Sequence, residues 1–191
     1  RERVFDLFEM LCGARLTHSF VRVGGVSHDV TDGFLERTFE FIKYLKPKFR
    51  EYSAVLFESK VFQGRLKNTG KAVREHAIAA GVSGPNLRAC GMKFDLRKDR
   101  PYANYTKYDF EIPTYEREQG DCFDRCYLRY LEISESLTII EQALRQMPAG
   151  AVSTLLPRVF KVPRGEVYST VESPRGVFGV YIASEGEKEP Y

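Results

Sequence analysis

Two apolar stripes at helical spacing constrain this chain more than any other feature. The first, Leu35, Phe39, Ile42, Leu45, Phe49, Tyr52 and Leu56, keeps steps of 4, 3, 3, 4, 3 and 4 within a helical pattern that begins at Thr31. The second, Phe123, Cys126, Tyr127, Tyr130, Ile133, Leu137, Ile140 and Leu144, marks a predicted helix over 119–146. Each stripe buries one helix face against other helices, which predicts a mainly α fold, a helical bundle. Pro47 lies inside the first stripe and is expected to kink or split it, because it removes a backbone donor. Val4, Leu7, Phe8 and Leu11 predict a shorter helix over 4–12 with Gly13 as its stop, and another runs over 71–80 to Gly81.

Residues 82–120 follow no period. Gly84-Pro85, Gly91, Pro101 and Pro113 interrupt them, and Tyr102, Tyr105, Tyr108, Phe110 and Tyr115 are interleaved. This reads as a long connection pinned by aromatic rings, functional or interfacial. Arg88, Lys93, Arg97, Lys98 and Arg100 make it locally basic; with Asp95 and Asp99 among them, it is expected to be solvated or interfacial rather than a phosphate grip. Gly24-Gly25, after Leu16, Phe20, Val21 and Val23, signals a turn or a close backbone approach. Val167–Val171 and Val177–Ile182 read as strands joined around Pro174-Arg175-Gly176, a small C-terminal β-hairpin. Val152, Leu155, Leu156, Val159 and Phe160 alternate poorly. The predicted organisation is a helical core over 1–150, including the connection at 82–120, and a small β appendage over 151–191.

Composition narrows the function classes. The 191 residues carry 29 Lys and Arg against 26 Asp and Glu, a net +3 that is too even to imply nucleic acid. With 43% hydrophobic and 29% charged residues the chain is globular rather than disordered. No apolar run approaches the ~18 residues of a membrane-spanning helix. Four cysteines make no disulfide framework, so a reducing compartment is the default. Cys122 and Cys126 share a helix face, as a metal or redox pair would or as two small packing residues would; a metal needs about four donors, and only Cys12 and Cys90 remain. No metal site is therefore assigned. His18 and His28 have no evident carboxylate partner beyond the sequence neighbour Asp29 and read as surface or hydrogen-bonded side chains. There is no phosphate loop, no dinucleotide fingerprint and no nucleophile elbow. Position 1 is not Met, a helical pattern is already under way at Arg1–Phe8, and Glu189-Pro190-Tyr191 closes no element. The expectation is an internal piece of a longer protein.

Four phrases carry a more specific signal. They are Gly13-Ala14-Arg15-Leu16-Thr17-His18-Ser19-Phe20-Val21-Arg22-Val23-Gly24-Gly25-Val26; Leu87-Arg88-Ala89-Cys90-Gly91 with Phe94-Asp95-Leu96-Arg97-Lys98 and Pro101-Tyr102; Gly120-Asp121-Cys122-Phe123-Asp124-Arg125, followed by Glu132 to Leu144; and Pro163-Arg164-Gly165-Glu166-Val167-Tyr168 with Glu172-Ser173-Pro174-Arg175-Gly176 and Gly179-Val180-Tyr181. In this order they resemble the 49-kDa hydrogenase-like subunit of respiratory complex I (NADH:quinone oxidoreductase). The resemblance covers nearly the whole chain but only the middle and later part of the family's own length.

The resemblance implies a hydrogenase large-subunit-like helical bundle flanked by β structure, in the peripheral arm at the cytoplasmic face of the cell membrane. It implies an enzyme subunit that is inactive as a fragment. The parent complex is an oxidoreductase and translocase that uses NAD, FMN, iron–sulfur clusters and quinone, none of them expected on this chain. The implied partners are the iron–sulfur subunit that holds the terminal cluster, other peripheral-arm subunits, a membrane-arm subunit at the quinone site, and quinone itself. By the same resemblance Arg15, Thr17, His18 and Arg22 lie near the terminal iron–sulfur cluster and Arg175 lies near the quinone cavity. Many family members have His where this chain has Thr17, with the imidazole one residue on at His18; many also carry an extra helix between the positions of Pro148 and Pro163. Two rival readings are a large-subunit-like component of a membrane-bound hydrogenase and a non-catalytic helical interaction module.

Overall fold

The computed structural model describes residues 1–115, 120–157 and 161–187. In chain order these form α1 (Glu2–Cys12), a short ribbon of β1 (Val21–Arg22) and β2 (Gly25–Val26), α2 (Phe34–Leu56), α3 (Lys60–Leu66), α4 (Arg74–Ala79), α5 (Pro85–Ala89), α6 (Leu96–Asp99), a 3-10 turn at Tyr105–Lys107, α7 (Cys122–Arg145), and the antiparallel pair β3 (Gly165–Ser173) and β4 (Gly176–Ser184). The fold is mainly α with a small C-terminal hairpin, as the periodicity predicts.

Helix α1 stops where Gly13 adopts a left-handed φ of 73° and its N–H donates to the Glu9 carbonyl. Helix α2 starts at Phe34 rather than Thr31. Gly33, also left-handed at φ 76°, ends a turn in which the Phe34 N–H donates to the Thr31 carbonyl at 3.1 Å. Pro47 does not split α2. Each side of it is held by a neighbour: Arg3 of α1 lies 3.7 Å over the Tyr44 ring, and Phe49 stacks on Tyr130 of α7 at 4.9 Å. The proline removes one backbone donor, and packing on both sides keeps the axis continuous. The predicted helix over 71–80 shortens to α4. Helix α3 was not predicted; its local signal is Ser59, whose hydroxyl oxygen caps it by accepting from the Phe62 N–H.

Helix α7 begins at a buried cap. Asp121 accepts from the Asp124 N–H at 2.9 Å and, through its other oxygen, from the Asn68 N–H at 2.8 Å, tying the helix start to the chain after α3. The predicted start at 119 lies outside the described residues. The predicted stripe is not the whole buried face: Ile133 and Ile140 are exposed, whereas Leu128, which the stripe omits, is completely buried. The reason is that α7 is covered on more than one side. Phe57, at the end of α2, packs its ring against Phe123 and Tyr127, while α5 lies against another part of the helix.

The hairpin pairs residue for residue from Gly165 opposite Ser184 to Ser173 opposite Gly176. Its tip seats on the turn before α5. Gly84 and Gly176 have positive φ, their backbones approach too closely for a Cβ at either position, and the Val177 N–H donates to Ser83 Oγ at 2.9 Å. The close approach predicted at Gly24-Gly25 is also present: residues 152–154 pair with it, the Val26 N–H donating to the Val152 carbonyl at 3.0 Å and the Thr154 N–H to the Gly24 carbonyl at 2.9 Å. Val159 and Phe160 lie outside the described residues.

Candidate functional site

Within the connection over 82–120, Lys93, Lys98 and Arg100 are exposed, as a solvated stretch would have them, but Arg88 and Arg97 belong to a buried ion cluster; for these two arginines the solvated reading is corrected. Arg88 on α5 is 1% exposed. Its Nε and Nη2 both reach Glu132 Oε1 of α7, at 2.7 and 2.6 Å. Its Nη1 donates to Glu172 Oε1 of β3 at 3.0 Å and to the Phe94 carbonyl at 2.8 Å, and lies 3.3 Å from Asp95 Oδ2. Asp95 caps α6 and is gripped by Arg97, whose Nε donates to Oδ1 at 2.9 Å and whose Nη2 donates to Oδ2 at 2.6 Å. Glu172 Oε2 accepts from the Leu96 N–H at 3.2 Å. Five charges, on α5, at the cap and first turn of α6, on α7 and on β3, thus meet in one place, the seated hairpin bringing Glu172 to the other four.

The electrostatics pull these carboxyls apart. Burial pushes Asp95 up, but hydrogen bonds from Arg97 and the charges of Arg97 and Arg88 outweigh it, leaving Asp95 below the usual carboxylate range. Burial pushes Glu132 up, and the opposing charge and hydrogen bond of Arg88 do not fully cancel it. Desolvation likewise raises the nearby Tyr105 hydroxyl. A cavity of about 470 Å³ opens beside the cluster, with Arg88, Arg97, Glu132 and Glu172 among its lining residues and Ser173-Pro174 of the hairpin turn on its wall.

Arg175 lies in that turn, with an exposed side chain and its N–H donating to Ser173 Oγ at 3.4 Å. The other expected site residues sit on different elements. Arg15 is tied to one face of α1, to Glu2 at 2.6 Å, Glu9 at 2.9 Å and Asp6 at 3.0 Å. Thr17 has a left-handed φ of 55°, so the chain turns there instead of running extended, and its hydroxyl donates to the Leu16 carbonyl. His18 folds back to stack on Phe8 at 4.4 Å. Arg22 on β1 is exposed and forms no ion pair among the described residues.

Cysteine chemistry has no support in the geometry. Among the described residues no three His, Cys, Asp or Glu side chains converge as a metal requires. Cys90 is buried with its thiol near the Ala72 and Asn86 carbonyls, and Cys122 accepts from Arg125 at 3.2 Å.

The residues that sequence reasoning missed as a site are Arg88, Asp95, Glu132 and Glu172. Their signal is that each charge sits among apolar neighbours: Leu87-Arg88-Ala89, Phe94-Asp95-Leu96, Leu131-Glu132-Ile133 and Val171-Glu172. Buried charges need partners, so single charges of opposite sign in apolar settings are candidates to pair.

Comparison with known proteins agrees with this arrangement of elements. The family described as respiratory-chain NADH dehydrogenase, 49-kDa subunit, matches residues 1–159 and 153–191. The corresponding NADH-quinone oxidoreductase subunit of Desulforamulus reducens is 46% identical over the whole chain, and that of Bacillus cytotoxicus is 47% identical; the chain spans 52% of each. A chain of the membrane-bound sulfane sulfur reductase, an archaeal respiratory membrane complex, superposes with a TM-score of 0.93 at 40% identity, covering all of this chain and 52% of that one. The chain thus spans about half the length of these relatives. No described helix is long and apolar enough to cross a membrane. Matched along its whole length, the chain belongs to the 49-kDa subunit family of the respiratory-chain NADH dehydrogenase.

Proposed function

We propose that this chain is part of the peripheral arm of an NADH:quinone oxidoreductase at the cytoplasmic face of the membrane, where it forms one wall of the quinone-reduction cavity. The observation that carries this reading is the 46–47% identity, across the whole chain, to a subunit of NADH-quinone oxidoreductase. In this reading NAD, FMN and the iron–sulfur clusters belong to other parts of the complex, the terminal cluster to the neighbouring iron–sulfur subunit, and electron transfer is coupled to ion translocation. Arg175, exposed at the turn beside the cavity, stabilises negative charge developing on the quinone as it is reduced. Arg22, exposed and with no ion pair among the described residues, supplies positive charge toward the terminal cluster. Arg15 contributes less, because three carboxylates already surround it. Thr17 and His18 stand beside that cluster too, with the imidazole held by Phe8 rather than free to approach.

A second reading is favoured by the sulfane sulfur reductase match: a complex that passes electrons to a sulfur acceptor instead of quinone. One experiment separates the two. In the assembled complex of the full-length protein, Arg175→Ala should lower quinone reduction about 10²-fold while NADH oxidation by an artificial acceptor stays intact. An unchanged quinone rate removes Arg175 from the site. Absence of quinone reduction in the wild-type complex, with turnover on a polysulfide, sinks the quinone reading.

A further inference from the structure

We propose that Glu132 is a proton-exchanging site that opens on the cavity beneath the hairpin turn, and that its charge state sets how tightly Arg88 holds the hairpin. The cluster is unbalanced: the guanidiniums of Arg88 and Arg97 face the carboxylates of Asp95, Glu132 and Glu172. One negative charge is left over in a largely desolvated cluster, where an uncompensated charge is costly and a proton relieves it. No other cation forms an ion pair with these carboxylates among the described residues, although Arg129 lines the same cavity. Arg129, on the same helix, is exposed and engaged with Asn86 and the Arg125 carbonyl. Glu135 accepts from the Glu111 N–H, and Tyr105 stays neutral.

Geometry selects which carboxyl takes the proton. Both oxygens of Asp95 are held by arginines, and both oxygens of Glu172 accept hydrogen bonds. Glu132 differs: Oε1 takes both contacts from Arg88, and Oε2 accepts nothing from the described residues. Its side chain is 15% exposed, against 0% for Asp95 and 3% for Glu172. Burial raises its proton affinity in the same direction. In the step itself a hydronium ion from the cavity gives its proton to Oε2, leaving a neutral carboxylic acid and a water molecule; nothing is oxidised or reduced. Arg88 then shares its charge with Asp95 and Glu172 alone, so its grip on Glu172, and through it on β3, tightens. Proton uptake at the cavity becomes seating of the hairpin that carries Arg175. Only the link to acceptor reduction rests on the function proposed above.

The test uses the full-length protein in its native complex. Infrared difference spectra are recorded over a pH series that starts above neutrality and runs downward, because burial raises the proton affinity of Glu132. The carbonyl-stretch band of a protonated carboxylic acid should grow on acidification, be lost in Glu132→Gln and persist in the exposed control Glu185→Gln. Hydrogen exchange of the β3 and β4 amides, corrected for the intrinsic pH dependence, should slow at low pH in the wild type and be pH-independent in Glu132→Gln. A band that survives in Glu132→Gln, no titrating band in the wild type, or hairpin exchange that ignores pH overturns the proposal. Should Glu132→Gln fail to assemble, Glu132→Asp decides: a moved midpoint supports the site and an unmoved one refutes it. A complex that shows the band but reduces no quinone would refute the functional reading and leave the proton site standing.

Discussion

Arg15 and Arg88 each face three carboxylates at nearly the same distances, yet they do different things. Arg15 reaches Glu2, Asp6 and Glu9 at 2.6–3.0 Å; Arg88 reaches Glu132, Glu172 and Asp95 at 2.6–3.3 Å. The Arg15 side chain is 41% exposed and that of Arg88 is 2% exposed. All the partners of Arg15 lie on one face of α1, so the contact only folds the following segment back on its own helix. The partners of Arg88 come from α6, α7 and β3, the last of them 84 residues away in sequence. Ion-pair distance therefore says little about consequence. What separates the two clusters is water, which screens the first, and topology, which makes the second a junction between helices and hairpin.

The largest expected effect follows from cutting that junction. Arg88→Ala leaves three carboxylates around an uncompensated hole and should cost about 3–5 kcal/mol in denaturant unfolding of the full-length protein. A loss below about 1 kcal/mol would put the cluster in the class of solvated surface pairs and erase the contrast with Arg15.

A smaller effect is carried by pH and has opposite signs at two members of the cluster. Asp95 is depressed below its ordinary 3.8 by Arg97 and Arg88, which overcome its burial, so its contribution is present above that value and is lost as pH falls through the depressed one. Glu132 is raised above its ordinary 4.5 by burial, so the native state favours its protonated form, and stability is lost as pH rises through the raised value. Asp95→Asn should flatten the acid side of the stability profile, and Glu132→Gln should flatten the side above pH 4.5. Urea midpoints measured across pH show whether the two variants change opposite limbs; the same limb changing in both would refute the assigned signs.

The smallest effect is expected at Arg15. Arg15→Ala should leave the unfolding midpoint unchanged at physiological salt, because exposed pairs are screened and contribute little. A clear loss that persists in high salt would show that the α1 cluster is shielded from water, and the comparison would need to be redrawn.

How much of this was legible beforehand depends on the range of the interaction. The stops at Gly13 and Gly81, the close approach at Gly24-Gly25 and the turn at Pro174-Arg175 are local events, and the residues announce them. The continuity of α2 through Pro47 is not local, since it rests on Arg3 over Tyr44 and on Phe49 against Tyr130. The buried face of α7 was legible only in part, because a single stripe describes a helix packed on one side and Leu128 reports a second side. In the charged run from Arg88 to Arg100 the solvated reading fails at the two arginines that are withdrawn from water, because it sets the cations only against the nearby Asp95 and Asp99. Local pairing holds for Asp95 and Arg97, two residues apart, but fails for Arg88, whose other partners are Glu132 and Glu172.

The sequence by itself determined α1, α2, α4 and α7 to within a few residues, the hairpin and its turn, and the ordered phrases that place the chain in its family. Those follow from side-chain periodicity and from backbone conformations that only glycine and proline favour, which act over a few residues. Only the tertiary structure decided that Arg88 is enclosed, that Glu132 lines a cavity with one oxygen unpartnered among the described residues, and that Gly84 meets Gly176. Whether a charge is solvated or desolvated depends on what covers it. Here Arg88 is enclosed by groups from α7, from β3 and from the segment before α6, and β3 brings Glu172 to it with the hairpin tip seated on the turn before α5.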